Sequence, residues 1–226
     1  MKRVNRVLIM AEMHGRDLLR RHVALGLLMV LPASFYLSSV GTGRDAVSTG
    51  GVAMAFAVGG ATLFSALSSV DVDQRLILGG YRPIELLLGR LAFLAPVAIV
   101  IAGAFTALMA GISHPSSPGV LLLGVTFVGL QSVPFGIAIA SIVPRELEGT
   151  LVLIGVVGIQ LAVQPDSTVA KALPFYGARR LIEESLVGHG PLAGPILQIA
   201  LYGTALLIIA RIFIGSRLAV TSHQPT

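Results

Sequence analysis

LAFLAPVAIVIAGAFTALMAGI, residues 91–112, holds no charged side chain along its whole length. A helix needs roughly 20 mostly apolar residues to cross the hydrocarbon core of a bilayer, and this run is long enough. The rest of the chain repeats the pattern. Of 226 residues, 54% are hydrophobic and 12% charged, about half the ~25% charged share of an average soluble domain. Mean hydropathy is +0.87. Such a chain lacks the polar groups to cover a globule, so the bilayer is its expected solvent. Six runs qualify as spans: Val23–Val40, Gly51–Ser69, Leu91–Ile112, Gly119–Val143, Thr150–Gln164 and Ala193–Gly215. The fifth is the shortest. Breaks such as GTGRDAVSTG (41–50) and SHPSSPG (113–119) separate them. The expected fold is an all-α integral membrane protein with six transmembrane helices. The absence of cysteine excludes disulfides and thiolate metal sites.

Six crossings put both termini on one side. With them go Lys2, Arg3, Arg6, Arg16, Arg20, Arg21, Arg75, Arg82, Arg90, Arg145, Arg211 and Arg217, which is 12 of the 16 basic residues. Arg44, Lys171, Arg179 and Arg180 remain opposite. The positive-inside bias then places both termini in the cytoplasm. The net charge of +5 follows this asymmetry, so no nucleic-acid partner is expected. The first apolar run is longer than the roughly 7–15 residues of a signal-peptide core, so it is expected to stay as a span.

Residues 1–22 precede the spans. At helical spacing Val4, Val7, Leu8, Ala11, Leu18 and Leu19 share one arc, with Lys2, Arg3, Arg6, Arg16, Asp17, Arg20 and Arg21 outside it. Ile9, Met10 and Met13 interrupt the polar side. An amphipathic helix lying in the membrane interface is expected, with its arginines toward anionic lipid headgroups.

The densest charge lies in SSVDVDQRLILGGYRPIELLLGR, residues 68–90. Asp71 and Arg75 are spaced as i,i+4 partners on a short helix. Gly79-Gly80 can end that helix, Gly79 in left-handed geometry. Pro83 suits a first helical turn, where Glu85 is also favoured. The expected form is a short charged helix, a tight bend and a rod entering the membrane. It reads either as an ordinary solvated loop or as a docking knob joined to the spans.

The spans carry few polar residues. Ser65, Gln131, Ser132 and Gln160, with the helix-kinking Pro134, are candidates for a weakly polar translocation path. The alternative for the polar residues is helix–helix hydrogen bonding. Gly103, Ala107 and Gly111 form a small-residue stripe that reads as close packing, within or between subunits. No acidic residue or lysine falls inside the six runs, which argues against ion-coupled transport. No G-x-x-x-x-G-K-[ST] phosphate loop and no H-E-x-x-H is present. Catalytic, cofactor-binding and metal-binding residues are therefore expected to be absent. Ser167 can cap a short helix ahead of Pro174, and GARRLIEESLVG (177–188) makes a second ending at Gly188. Neither is long enough to span.

Ile84, Glu85, Leu86, Leu87, Leu88, Gly89 and Arg90, after a short charged helix and a glycine bend, resemble the E-x-L-L-G-[RK] pattern of permease subunits of ABC-2-type exporters. PRELEGT (144–150) resembles that family's short cytoplasmic turn. ALPFYGARRLIEESLVGHGP (172–191) resembles its external segment, and the N-terminal amphipathic helix its elbow helix. One departure is DVDQRL, where the family often carries E-R-E-x-G-T. The resemblance implies an elbow helix over 1–22 and a transmembrane domain over 23–215. Within that domain lie a coupling segment over 70–90 and an external segment over 165–191; a cytoplasmic tail follows over 216–226. It further implies two copies of a separate ABC ATP-binding subunit holding ATP and Mg, and a second permease chain, identical or similar. The residues expected to couple to the ATPase are Asp71, Asp73, Arg75, Arg82, Glu85, Arg145 and Glu146. The expected location is a bacterial plasma membrane. A non-transport scaffold or assembly protein is the alternative.

Overall fold

The computed structural model describes residues 9, 10, 12, 22–42, 44–188 and 190–220. The amphipathic helix expected over 2–22 lies outside the described residues apart from Ile9, Met10, Glu12 and His22. The elements are α1 (His22–Ser39), a single 3-10 turn (Val40–Thr42), α2 (Arg44–Ser68), α3 (Val70–Leu78) and α4 (Pro83–Ser113). They continue with α5 (Pro118–Ile142), α6 (Glu146–Ala162), α7 (Thr168–Lys171), α8 (Tyr176–Val187) and α9 (Ala193–Val220). Among the described residues all regular structure is helical.

Among the described residues four helices are long and apolar enough to cross a membrane: Ala46–Ser68 of α2, all of α4, all of α5, and Ala193–Gly215 of α9. α1, with 18 residues, covers the first expected run. α6 has 17 residues, which at 1.5 Å per residue reaches about 25 Å, short of the ~30 Å core.

The bundle is built around α5, which packs against α2, α4, α8 and α9. From Gln131 to Ser141 every residue of α5 is buried. The closest approach is at Gly136, where a Cβ would lie 2.5 Å from the Gly59 carbonyl oxygen and 2.9 Å from Thr62 Cβ. Only a residue without a side chain lets α2 and α5 touch backbone to backbone. α4 and α9 face outward: Val100 is 71% and Leu201 63% exposed. Bare apolar surface of this kind is costly in water, whereas lipid tails are as apolar as leucine.

α8 runs antiparallel along the first two-thirds of α5. Phe175 stacks edge-on against Phe135 with ring centroids 5.4 Å apart. Gln131 Nε2 donates to the Pro174 carbonyl at 2.7 Å. Ala178 and Ile182 close over Gly124, and Ser117 N–H donates to the Ser185 carbonyl at 2.9 Å. Phe175, Ala178, Leu181 and Ile182 are buried, so 172–188 is a packed element of the bundle and not a loose cover.

Three local expectations change. The break expected over 41–50 shrinks to the 3-10 turn, because α2 already starts at Arg44. The Gly103, Ala107, Gly111 stripe is not an intrachain packing seam: a Cβ on Gly103 or Gly111 would meet nothing within 4 Å, and Ala107 is exposed. The helix of the last span runs on to Val220, into the expected tail.

Candidate functional site

One end of the bundle gathers the end of α2, all of α3, the start of α4, the end of α5 and the start of α6. The sequence 68–90 forms the helix–bend–rod that its residue types predict. α3 ends in a Schellman arrangement: Tyr81 N–H donates to the Leu76 carbonyl at 3.0 Å and Gly80 N–H to the Ile77 carbonyl at 2.9 Å. The left-handed residue is Gly80, at φ +85°, whereas Gly79 stays right-handed at φ −76°. This corrects the expectation for Gly79: the motif places its positive φ one residue past the cap. Pro83 opens α4. The Glu85 carboxylate accepts the Arg82 N–H at 2.9 Å, filling a donor that the helix start leaves unpaired. α4 is 31 residues long, about 46 Å at helical rise, longer than the ~30 Å core of a bilayer.

The expected coupling residues divide into two sets. Asp71, Arg75 and Arg82 are exposed, as are Arg145 and Glu146; the turn expected over 144–150 is shorter, because α6 already starts at Glu146 with Arg145 at its N-cap. Asp73 and Glu85 turn inward, 6% and 4% exposed. Among the described residues Asp71 and Arg75 do not pair with each other. The ion pair instead joins Asp73 to Arg90, Oδ2 to Nη2 at 2.5 Å, and the same Nη2 reaches Ser69 Oγ. Arg90 is itself only 4% exposed. Burial pushes the Asp73 carboxyl above its ordinary range, and the Arg90 guanidinium opposes that shift. Asp73 is the one buried residue of α3, so α3 is held to the bundle by a charge, not by an apolar face. Its Val72 and Leu78 are exposed.

Sequence reasoning left Arg90 out of the coupling set, although it closes the quoted stretch. It also missed Arg179, 8% exposed at the opposite end. Arg179 Nη1 donates to the Gln160 carbonyl at 2.7 Å and the Val163 carbonyl at 3.0 Å. Its Nε reaches Glu183 Oε1 at 3.0 Å and Ser48 Oγ at 3.2 Å. The guanidinium thus satisfies the open carbonyls at the end of α6 and ties α6, α8 and α2 together. Next to it Arg180 meets Glu183 at 3.3 Å and Glu184 at 3.6 Å. The i,i+4 spacing of Arg179 to Glu183 was the available signal. Ser167 caps α7 as expected, accepting the Ala170 N–H at 3.1 Å, and α8 ends at Gly188 with φ +84°.

Lysine at position 179 keeps the charge but loses the planar fork. Arg179→Lys is therefore expected to lower stability almost as much as Arg179→Ala, by about 2 kcal/mol for buried acceptors left unmade. Thermal unfolding in detergent checks this, and a Lys variant as stable as the parent would show that charge alone suffices.

The five path candidates are not drawn to one place. Ser132 Oγ donates to its own helix at the Val128 carbonyl, 2.6 Å away. Gln131 holds Pro174, and its Oε1 has no partner among the described residues. Gln160 is wholly buried, and among the described residues both its amide atoms lack partners. Ser65 is half-buried, and its carbonyl accepts Ser69 Oγ at 2.8 Å. Pro134 is buried within a helix that continues past it.

Several long apolar helices, outward apolar faces and a charged end fit a multi-pass helical membrane protein. The chain matches no protein-family model and no curated protein.

Proposed function

We propose that the chain is the transmembrane subunit of an ATP-driven exporter of the ABC-2 type. In this reading α1, α2, α4, α5, α6 and α9 are six spans of a plasma-membrane protein with both termini cytoplasmic. Two copies of a separate ATP-binding chain, holding ATP and Mg, power two permease chains. The cargo leaves the cell as an amphipathic or hydrophobic molecule such as a drug, a lipid-linked compound or a peptide. The observation that carries the reading is the exposed charge of Asp71, Arg75 and Arg82 on a capped bend joined directly to α4, with Arg145 and Glu146 exposed at the same end. A rigid bend transmits a push to the rod it is fused to, which a solvated loop does not. Asp73 and Glu85 act in this scheme by holding the segment's shape. Among the described residues Gln131 Oε1 and both amide atoms of Gln160 are buried without a partner, which supports their place on a cargo path, since buried polar groups without partners are rare.

Arg75→Glu is expected to leave the chain folded and inserted but to lose co-purification of the ATPase and transport-dependent resistance. Charge pairs buried at an interface cost about 2–5 kcal/mol when broken, against roughly 0–1 kcal/mol at a solvated site. Lys171→Glu, exposed at the other end, serves as control and should do neither. Equal behaviour of the two variants favours the scaffold reading. Topology has its own check. The chain has no cysteine, so a cysteine at Ser116 should react with an impermeant thiol reagent on intact cells, and one at Leu147 should not. Labelling at Leu147 from outside would overturn the orientation.

A further inference from the structure

A cavity of about 130 Å³ opens beside the buried ion pair, lined by Asp73, Gln74, Arg90 and Ser141 with apolar walls from Val70 and Ile214. Its two charged walls are each more than nine-tenths buried. Both have an unused polar atom: Asp73 Oδ1 and Arg90 Nε lack partners among the described residues. Ser141 Oγ spends its hydrogen on the Ile137 carbonyl at 2.7 Å, which leaves its lone pairs to accept. An occupant that satisfies this cavity must present a donor to the carboxylate and an acceptor to the guanidinium. The walls sum to zero net charge, so a lone anion or a lone cation would meet one like charge at close range. A small group carrying both signs fits.

The depth of the cavity narrows the choice. It lies where the apolar stretches ending at Ser68, Ile142 and Gly215 finish and the one beginning at Pro83 starts, which is the level of lipid headgroups around such a bundle. Next to Ile214 on α9, Ile212 and Phe213 are 60% and 40% exposed, an apolar surface on which acyl chains can lie while a headgroup enters. We propose that this cavity seats the zwitterionic headgroup of an aminophospholipid, its ammonium on Asp73 and its phosphodiester on Arg90. The site requires that the chain cross a membrane; it does not require the exporter reading. A headgroup here would brace α3, whose only buried residue is Asp73, against α4, α5 and α9.

The sharpest discrimination is between primary and quaternary ammonium. Ethanolamine offers N–H donors to the Asp73 carboxylate and choline offers none, although the two carry the same net charge. The full chain in detergent is mixed with equal amounts of phosphatidylethanolamine, phosphatidylcholine and phosphatidylglycerol bearing identical acyl chains, and retained lipid is read by native mass spectrometry. The expected result is one phosphatidylethanolamine per chain, favoured over the other two by about tenfold, the worth of one charge-assisted hydrogen bond. Gln74→Phe, at a half-exposed lining position, should fill the cavity and abolish the preference. Soluble glycerophosphoethanolamine should compete only weakly, since it lacks the acyl chains. Equal retention of the ethanolamine and choline lipids would overturn the proposal and assign the cavity to water. Undiminished preference in a folded Gln74→Phe chain would overturn its location. Glycerophosphoethanolamine binding as tightly as the lipid would overturn the lipid as its source.

Discussion

Replacing Arg90 with alanine is expected to destabilise the protein by about 3–5 kcal/mol, the cost of leaving one member of a buried ion pair alone. Asp73 would keep its place at 6% exposure with no guanidinium facing it. The loss should depend on pH in a defined direction. Burial already raises the Asp73 carboxyl, and Arg90 is what pulls it back. Without Arg90 the folded-state value rises further above the unfolded value of about 3.9. A group raised on folding contributes stability that is present below its unfolded pKa and lost as pH rises through its folded pKa. The variant should therefore be least impaired in acid and should weaken as pH climbs toward neutrality, as thermal unfolding in detergent across that range will show. Asp73→Leu combined with Arg90→Met is the decisive partner experiment. Matched apolar replacement of a buried pair is often neutral or stabilising, so the double variant should recover most of the loss. If it is as damaged as Arg90→Ala, the pair is not what fixes α3 to the bundle. The same geometry makes Asp73→Lys unsuitable as a probe of docking, because it would set two cations against each other inside the protein.

Gly136→Leu is expected to prevent normal folding. The added Cβ alone would lie 2.5 Å from the Gly59 carbonyl and 3.1 Å from the Leu63 nitrogen, and neither backbone atom can yield without moving α2. Overpacking typically costs about 1–3 kcal/mol where side chains can adjust, and here the obstacle is a helix backbone, so the loss should reach the top of that range or exceed it. Gly136→Ala should already be harmful. Gly111→Leu should be tolerated, because its Cβ would meet nothing within 4 Å. The readout is the folded fraction after solubilisation, by size-exclusion profile and unfolding temperature. A Gly136→Leu chain as stable as Gly111→Leu would show that α2 and α5 do not approach as described.

The sequence made legible whatever depends on neighbours within a turn or two. The 54% apolar composition pointed to lipid as the solvent, and the long apolar helices fit it. Pro83, the Gly79-Gly80 pair, Ser167 and Gly188 marked helix ends, since capping involves residues only a few positions apart. It was vaguer about which residues of the charged stretch face outward. Asp73 pairs across 17 positions with Arg90, around a bend, and not with a neighbour on its own helix. Arg179 draws its acceptors from the end of α6 and from Ser48, 131 positions away.

The deeper reason lies in the solvent. In water, a helix declares its buried face by placing polar residues on the other side. In lipid both faces are apolar, so periodicity says nothing about which side packs. Gly136 and Gly111 look alike in the sequence, yet one is the contact between α2 and α5 and the other faces open space. Composition and local capping rules determined that this chain is a set of apolar helices with one charged bend. The arrangement in space decided that α5 is the centre, that α8 lies along it, and that Asp73 and Arg90 are walls of a cavity and not part of an exposed charge cluster, because those outcomes depend on close fits between helices distant in the chain.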